Sequence, residues 1–234
     1  MKSVLHRANE RGEAEHGWLH TRFSFSFADW YDPERMGFGA LRVLNDDVIE
    51  PHQGFGMHPH ANMEIITIVK KGAVSHEDSM GNKYAVPAGD IQVMSAGSGV
   101  THAEFNKGDE QLALFQIWIT PRVIWLPPHY SQQSLGSIQK NEIELLVSGD
   151  PNDDALFINQ DAYVFRALCD GGKTLTYALR QPGNGVYIFV VKGSIRVDGT
   201  DLGARDALGV WDTDKVEIIT QSPAELLVFE VPRE

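Results

Sequence analysis

Short apolar runs alternate with clusters of turn-forming residues along nearly the whole chain. The segment 23–27, FSFSF, has a strict period of two, which predicts a half-buried strand with an aromatic face. Further strands are predicted at 40–44, 64–69, 91–94, 112–119, 143–147, 163–168, 186–191, 194–197, 216–219 and 226–231. Polar or glycine-containing clusters at 45–47, 80–82 and 198–199 predict turns, and residues 131–140 are the one candidate for a short helix. Many short strands with frequent turns predict an all-β sandwich or barrel.

The chain contains a weak internal repeat. Residues 65–74, IITIVKKGAV, and residues 187–195, YIFVVKGSI, each run from an apolar strand through Val-Lys and Gly into a second strand. The repeat predicts a duplicated barrel. We expect a first domain at 1–121, a proline-containing linker at 122–130 and a second domain at 131–234.

Histidine is confined to one part of the chain, because all nine histidines lie at or before position 129. His58 and His60 form a His-x-His pair, and His102 and Glu104 form a His-x-Glu pair. Residues two apart on a strand point to the same face, so each pair projects two ligands into one space. Three neutral nitrogens and one anionic oxygen suit one divalent transition metal: Fe, Cu, Mn, Ni, Co or Zn. Glu64 shares the strand parity of the first pair and is the rival carboxylate.

Four protein ligands would leave open positions on the ion for substrate, water or dioxygen. The remaining histidines have simpler interpretations. His6, His16 and His20 lie in a polar N-terminal stretch and are expected to be exposed. His76 is expected to face solvent. His52 is expected in a loop and His129 in the linker.

Composition restricts the partners. The 32 acidic and 20 basic residues give a net charge of −12, and no basic patch is present, which argues against direct binding of nucleic acid. An acidic surface would suit a basic protein partner. The chain has a single cysteine, Cys169, and no apolar stretch near the ~20 residues of a membrane span, so we expect a cytoplasmic protein without disulfides. Each barrel would supply its own core, and a monomer is expected.

Three ordered motifs in the first half resemble the pirin family. They are residues 29–47, which include DWYDP and MGFGALRVLNDD, residues 54–65, GFGMHPHANMEI, and residues 94–104, MSAGSGVTHAE. The resemblance is dense over about residues 5–121 and looser beyond. It implies a bicupin, with two tandem cupin-type, jelly-roll-like β-barrels and few short helices.

The resemblance also implies a ligand set and an activity. It places the metal in the N-terminal cupin only, on His58, His60, His102 and Glu104, and favours Glu104 over Glu64. Aligning residue 72 with residue 193 leaves no histidine in the second cupin at the corresponding positions. Bacterial members include quercetin 2,3-dioxygenases, and animal pirins act as nuclear cofactors of transcription regulators.

The implied reaction is that of a metal-dependent oxidoreductase. A small aromatic substrate, a flavonol such as quercetin, would react with O2, its central ring would open and carbon monoxide would be released. Glu104 would act as ligand and general base. Two alternatives stay open at this level: a metal-dependent protein-interaction or regulatory module without enzymatic activity, and a structural or storage barrel with a vestigial site.

Overall fold

Four of the five strands that the apolar runs predict in the first half begin within one residue of the predicted position. The structure, a computed structural model, describes residues 1–233. Its one helical element within these residues is a 3-10 turn at Ala8–Glu10. The strands are β1 (Lys2–His6), β2 (Gly12–Glu15), β3 (Leu19–Phe23), β4 (Leu41–Ile49), β5 (Gly54–His60), β6 (Glu64–Lys71), β7 (Ala73–Asp78), β8 (Lys83–Pro87), β9 (Asp90–Ser95), β10 (Val100–Phe105), β11 (Leu112–Ile119) and β12 (His129–Ser134).

The second half repeats this pattern with ten further strands. They are β13 (Ile143–Ser148), β14 (Leu156–Phe157), β15 (Tyr163–Cys169), β16 (Thr174–Ala178), β17 (Asn184–Lys192), β18 (Ile195–Val197), β19 (Thr200–Leu202), β20 (Ala207–Trp211), β21 (Lys215–Thr220) and β22 (Ala224–Pro232). Gly72 and Gly193, the glycines of the sequence repeat, both adopt positive φ between equivalent strands. The duplicated all-β fold is confirmed.

Each half pairs a seven-stranded sheet with a four-stranded sheet. In the first barrel the orders are β12-β9-β6-β11-β4-β3-β2 and β5-β10-β7-β8. In the second they are β1-β20-β17-β22-β15-β13-β14 and β16-β21-β18-β19. Two strands cross the domain boundaries expected from the sequence, because β1 pairs with β20 and β12 pairs with β9. The N-terminal strand β1 thus joins a sheet of the second barrel, and β12, which begins in the expected linker, joins a sheet of the first. The domain boundaries remain a prediction.

Burial explains the two sequence patterns of the strands. β21 alternates between exposed and buried residues, as expected for a sheet with one face in water. In β17 every residue but the last is buried, because this strand has the barrel interior on one face and the other barrel on its second face. One apolar cluster joins the two large sheets through residues such as Phe115, Phe189 and Phe229. The barrels thus share one continuous apolar contact.

Three local predictions are wrong. Only Phe23 of the segment 23–27 lies in a strand; Ser24 and Ser26 are as buried as Phe25, and the Ser26 hydroxyl bonds to the backbone of Asp32. The polar cluster 45–47, expected to be a turn, lies inside β4. The expected helix within 131–140 is absent; residues 131–134 continue β12. Buried serine side chains override the local preference in the first case, and pairing with distant strands does so in the other two.

Candidate metal centre

The two ligand pairs meet because β5 and β10 are antiparallel neighbours. His58 and His102 lie opposite each other in the register, and His60 lies two residues further along β5 on the same face. The ring centroids are 4.9 Å apart for His58 and His60, 4.5 Å for His58 and His102, and 4.9 Å for His60 and His102. One potential ligand nitrogen from each ring lies within 4.8 Å of the others.

The hydrogen bonding of this triad fits a metal ion. Nδ1 of His58 lies 2.7 Å from the carbonyl oxygen of Gly56, which leaves Nε2 as the nitrogen that can bind a metal ion. Nε2 of His60 and Nδ1 of His102 are buried without a hydrogen-bond partner. Buried polar atoms rarely stay unpaired, and a bound cation would satisfy such nitrogens.

Burial also sets the charge of these rings. Burial, reinforced by the neighbouring imidazole of His58, lowers the pKa of His60 to about 4. Burial, with the imidazoles of His58, His60 and His76, lowers the pKa of His102 to about 3. Both rings are therefore neutral near pH 7, the form in which imidazole binds a metal.

Glu104 lies beside the triad in an adjoining cluster. Its carboxylate, with nitrogens of His76 and His102, forms a second group whose ligand atoms lie within 4.8 Å of one another. A register shift between His102 and Glu104 places Glu104 opposite Phe55 of β5 rather than opposite Gly56. His102 belongs to both clusters. The structure thus gathers the three histidines tightly and sets Glu104 next to one of them.

A row of polar side chains holds the Glu104 carboxylate, which is 2% exposed. Oε1 accepts hydrogen bonds from Gln92 Nε2 at 2.6 Å and from Thr67 Oγ1 at 3.1 Å, and Oε2 accepts one from Gln116 Nε2 at 2.7 Å. These donors compensate for the burial of a negative charge. None of these three donors is among the residues predicted from the sequence. The available signal was a polar residue at the centre of an otherwise apolar strand.

His76 corrects a sequence-based expectation. It was expected to face solvent, but it is 2% exposed and its ring centroid lies 5.4 Å from that of His102. Nε2 of His76 lies 3.0 Å from Asp78 Oδ2, and Tyr130 stacks on the ring at 4.5 Å. His76 is therefore buried beside the triad, in the cluster that it forms with His102 and Glu104.

Two further residues lie away from it. Glu64, the rival carboxylate, begins β6 outside both clusters and accepts a 2.5 Å hydrogen bond from Ser95 Oγ. His6, expected to be exposed, is 6% exposed, with Nδ1 3.0 Å from Tyr187 Oη in the contact between the barrels. Its strand pairs with the second barrel, which no local pattern indicates.

A cavity of about 370 Å³ opens onto the triad. This volume lies within the range of small-molecule sites. Aromatic side chains form much of its wall: Trp18, Phe23, Phe27, Phe55 and Trp118. Asn45 and Asp47 also line it. Burial raises the pKa of Asp47 to about 7; the charges of Asp46 and Glu104 add to this effect, and a hydrogen bond from Thr21 opposes it.

The interior of the second barrel is filled by apolar side chains instead. At one end Glu230, with no exposed surface, accepts hydrogen bonds from the Tyr177 hydroxyl, from the backbone N–H of Arg180 and Gln181, and from Asn184 Nδ2. Over residues 1–233, both clusters with metal-ligand spacing lie in the first barrel. Within the same residues no helix is long and apolar enough to span a membrane.

Comparison with known proteins gives consistent matches along the chain. The family model described as Pirin matches residues 4–119, and the model described as quercetinase C-terminal cupin domain matches residues 145–231. A protein of Escherichia coli K12 named quercetin 2,3-dioxygenase is 45% identical over 97% of this chain and 98% of its own. A pirin-like protein of Caulobacter vibrioides is 44% identical over 94% of this chain and 95% of its own.

A solved structure agrees with these matches. The bacterial pirin YhhW of Escherichia coli, in complex with nickel(II), superimposes with a TM-score of 0.94 at 43% identity and full coverage of both chains. The bicupin architecture predicted for this chain is thereby confirmed.

Proposed function

Since this chain belongs to the pirin family, as its motifs predict, we propose that it is a metal-dependent dioxygenase that cleaves a flavonol such as quercetin with O2. The metal ligands in this proposal are His58, His60, His102 and Glu104. The observation that carries it is the triad of imidazoles in the wall of an aromatic cavity, two of which, His60 and His102, have buried nitrogens without a hydrogen-bond partner.

A divalent transition metal bound here would act as a Lewis acid that lowers the pKa of the flavonol's enolic hydroxyl. The side chains have separate tasks. His58, His60 and His102 would each hold the ion through one ring nitrogen. Glu104 takes the proton of the hydroxyl, acting as ligand and as base at different moments.

The surrounding residues orient substrate and base. Gln92, Gln116 and Thr67 hold the Glu104 carboxylate in place through hydrogen bonds to both of its oxygens. The aromatic wall, which includes Phe27 and Trp118, holds a flat ring system and excludes bulk water. Both atoms of O2 end in the products, one carbon leaves as carbon monoxide, and the flavonol supplies the electrons, so that no external reductant is needed.

The test begins with the metal. Natively purified protein is analysed for its elements, and metal-free protein is then loaded separately with Ni(II), Fe(II), Cu(II), Mn(II), Co(II) and Zn(II). An oxygen electrode and the near-visible absorbance of quercetin follow turnover. We expect simultaneous loss of both signals with at least one metal.

Variants connect the activity to the site. His60→Ala and Glu104→Ala should abolish turnover, whereas His52→Ala, which changes a histidine with a side chain 64% exposed, should keep it. Equal turnover by all three variants would exclude the proposed site. Tight metal binding with no oxygen uptake for any metal would favour the regulatory alternative.

A further inference from the structure

The polar row that holds Glu104 extends beyond it across the large sheet. Gln92, Thr67, Gln116 and Asn45 occupy directly opposed positions on four successive strands, β9, β6, β11 and β4. The first three bond to Glu104. Asn45 is the fourth residue of the row; its side chain lines the cavity rather than bonding to Glu104.

The hydrogen bonds of this end of the row are incomplete. Asn45 is 3% exposed, and its side-chain oxygen is buried without a partner. Asp47, 4% exposed, lines the same cavity two residues along β4. In the part of the chain that the structure describes, its side chain receives one hydrogen bond, from the hydroxyl of Thr21. Buried amide and carboxyl groups with spare capacity are costly unless a ligand or solvent completes them.

We propose that Asn45 and Asp47, with Thr21, form a substrate subsite that binds hydroxyl groups on the part of an aromatic substrate remote from the metal. An amide can accept from and donate to a phenol, and a carboxylate accepts a phenolic hydrogen. This constellation therefore selects hydroxylated rings over bare ones. The inference rests on the proposed function for the substrate class. It adds that the cavity recognises the hydroxyl substituents of the aromatic ring.

Strand geometry gives the subsite a suitable separation from the metal centre. Adjacent strands are about 4.8 Å apart, so Asn45 lies about 5 Å from Gln116 and about 10 Å from Thr67 along the row. Glu104 bonds to both of the latter. Along the row, Asn45 is thus displaced from the two residues that hold Glu104 by about the width of one or two aromatic rings, and the wall of the cavity that Asn45 lines contains aromatic side chains.

The opposite face of β4 supplies a matched control. Asp46 is adjacent to Asp47 in the sequence but points away from the cavity, where it bonds to Lys70 and Arg205 in the contact between the barrels. Asp46→Asn therefore makes the same chemical change as Asp47→Asn, one residue away, outside the cavity.

The experiment compares two probes without oxygen, so that binding is separated from turnover. Quercetin carries ring hydroxyls; 3-hydroxyflavone keeps the enol and carbonyl but lacks them. Affinity for the Ni(II)-loaded protein is measured by quenching of tryptophan fluorescence, to which the cavity residues Trp18 and Trp118 contribute. Wild type should prefer quercetin, and both Asn45→Leu and Asp47→Asn should reduce the ratio of the two affinities about tenfold. Asp46→Asn should keep it.

The outcomes separate this inference from the proposed function. A preference for quercetin that both cavity variants lose, in a protein that consumes no oxygen, supports the subsite and removes the proposed function. Turnover with no preference between the probes, or a preference that both variants retain, overturns the subsite and leaves the proposed function standing. Melting temperatures and nickel content are measured for each variant; if Asp47→Asn does not fold, Asn45→Leu decides.

Discussion

Gln116 donates a hydrogen bond of 2.7 Å to Glu104 Oε2, and it does so from the centre of an otherwise apolar strand. Gln116→Leu would leave a nearly isosteric side chain that cannot hold the carboxylate. Loss of a residue that orients a metal ligand typically weakens metal binding 10–100-fold. We expect Ni(II) affinity to fall by roughly that factor, measured by competition with a chelator.

Gln133→Leu is the matched control, because Gln133 is an exposed residue of β12 outside the site. It should leave nickel affinity unchanged. Unchanged affinity in Gln116→Leu as well would mean that Glu104 needs no support from this residue, and the assigned role of the polar row would be wrong.

Gly54 and Gly56 give a test of the backbone approach between β5 and β10. A Cβ at Gly54 would overlap the backbone of Glu104 and Phe105, whereas a Cβ at Gly56 would meet nothing within 4 Å. Gly54→Ala should cost about 1–3 kcal/mol of unfolding free energy through overpacking. It should also weaken nickel binding, since it displaces the strand that carries Glu104. Gly56→Ala should match wild type in urea denaturation, and a similar loss in both variants would contradict this explanation.

Glu230 should carry a stability role in the second barrel. Glu230→Gln replaces one acceptor oxygen by an amide nitrogen that faces hydrogen-bond donors, including the Tyr177 hydroxyl. We expect a loss of about 2–3 kcal/mol in urea denaturation with unchanged nickel stoichiometry. Glu225→Gln, on the same strand with a side chain 41% exposed, should change stability little. A change in nickel stoichiometry would show that the second barrel takes part in metal binding.

His6 should contribute to acid sensitivity. Burial, followed by the positive charge of Arg35, lowers the pKa of His6 from 6.5 to about 4. Between about pH 6.5 and pH 4, His6 is therefore protonated in the unfolded chain but not in the folded protein. The free energy of unfolding decreases as the pH is lowered through this window. The shift corresponds to a loss of about 3 kcal/mol at its lower end.

The measurement is urea denaturation between pH 7 and pH 4. His6→Gln should show a shallower decrease in unfolding free energy than wild type, and His129→Gln, which removes an exposed histidine, should follow the wild-type slope. Identical slopes for wild type and His6→Gln would disprove the burial effect at His6.

The sequence alone predicted the fold class and the half of the chain that holds the histidine cluster, because both follow from local signals. Period-two alternation, turn residues and the repeat around Gly72 and Gly193 all report neighbours within a few residues along the chain. That His58 and His60 share a face was predicted in the same way, since a strand fixes which side chains share a face. That these two and His102 are metal ligands stays a prediction. That Glu104 completes the ligand set stays a prediction of the motifs.

Tertiary structure decided what surrounds those residues. The pairing of β4, β11, β6 and β9 places Asn45, Gln116, Thr67 and Gln92 in one row, although they are far apart in sequence. The same pairing puts Asp46 and Asp47 inside a strand rather than in a turn, and the packing of β7 against β10 buries His76. Period and spacing specify which face a residue occupies. The side chains that pack against that face are determined by pairing with strands distant in the sequence, and a local segment carries no information about the energy of that pairing.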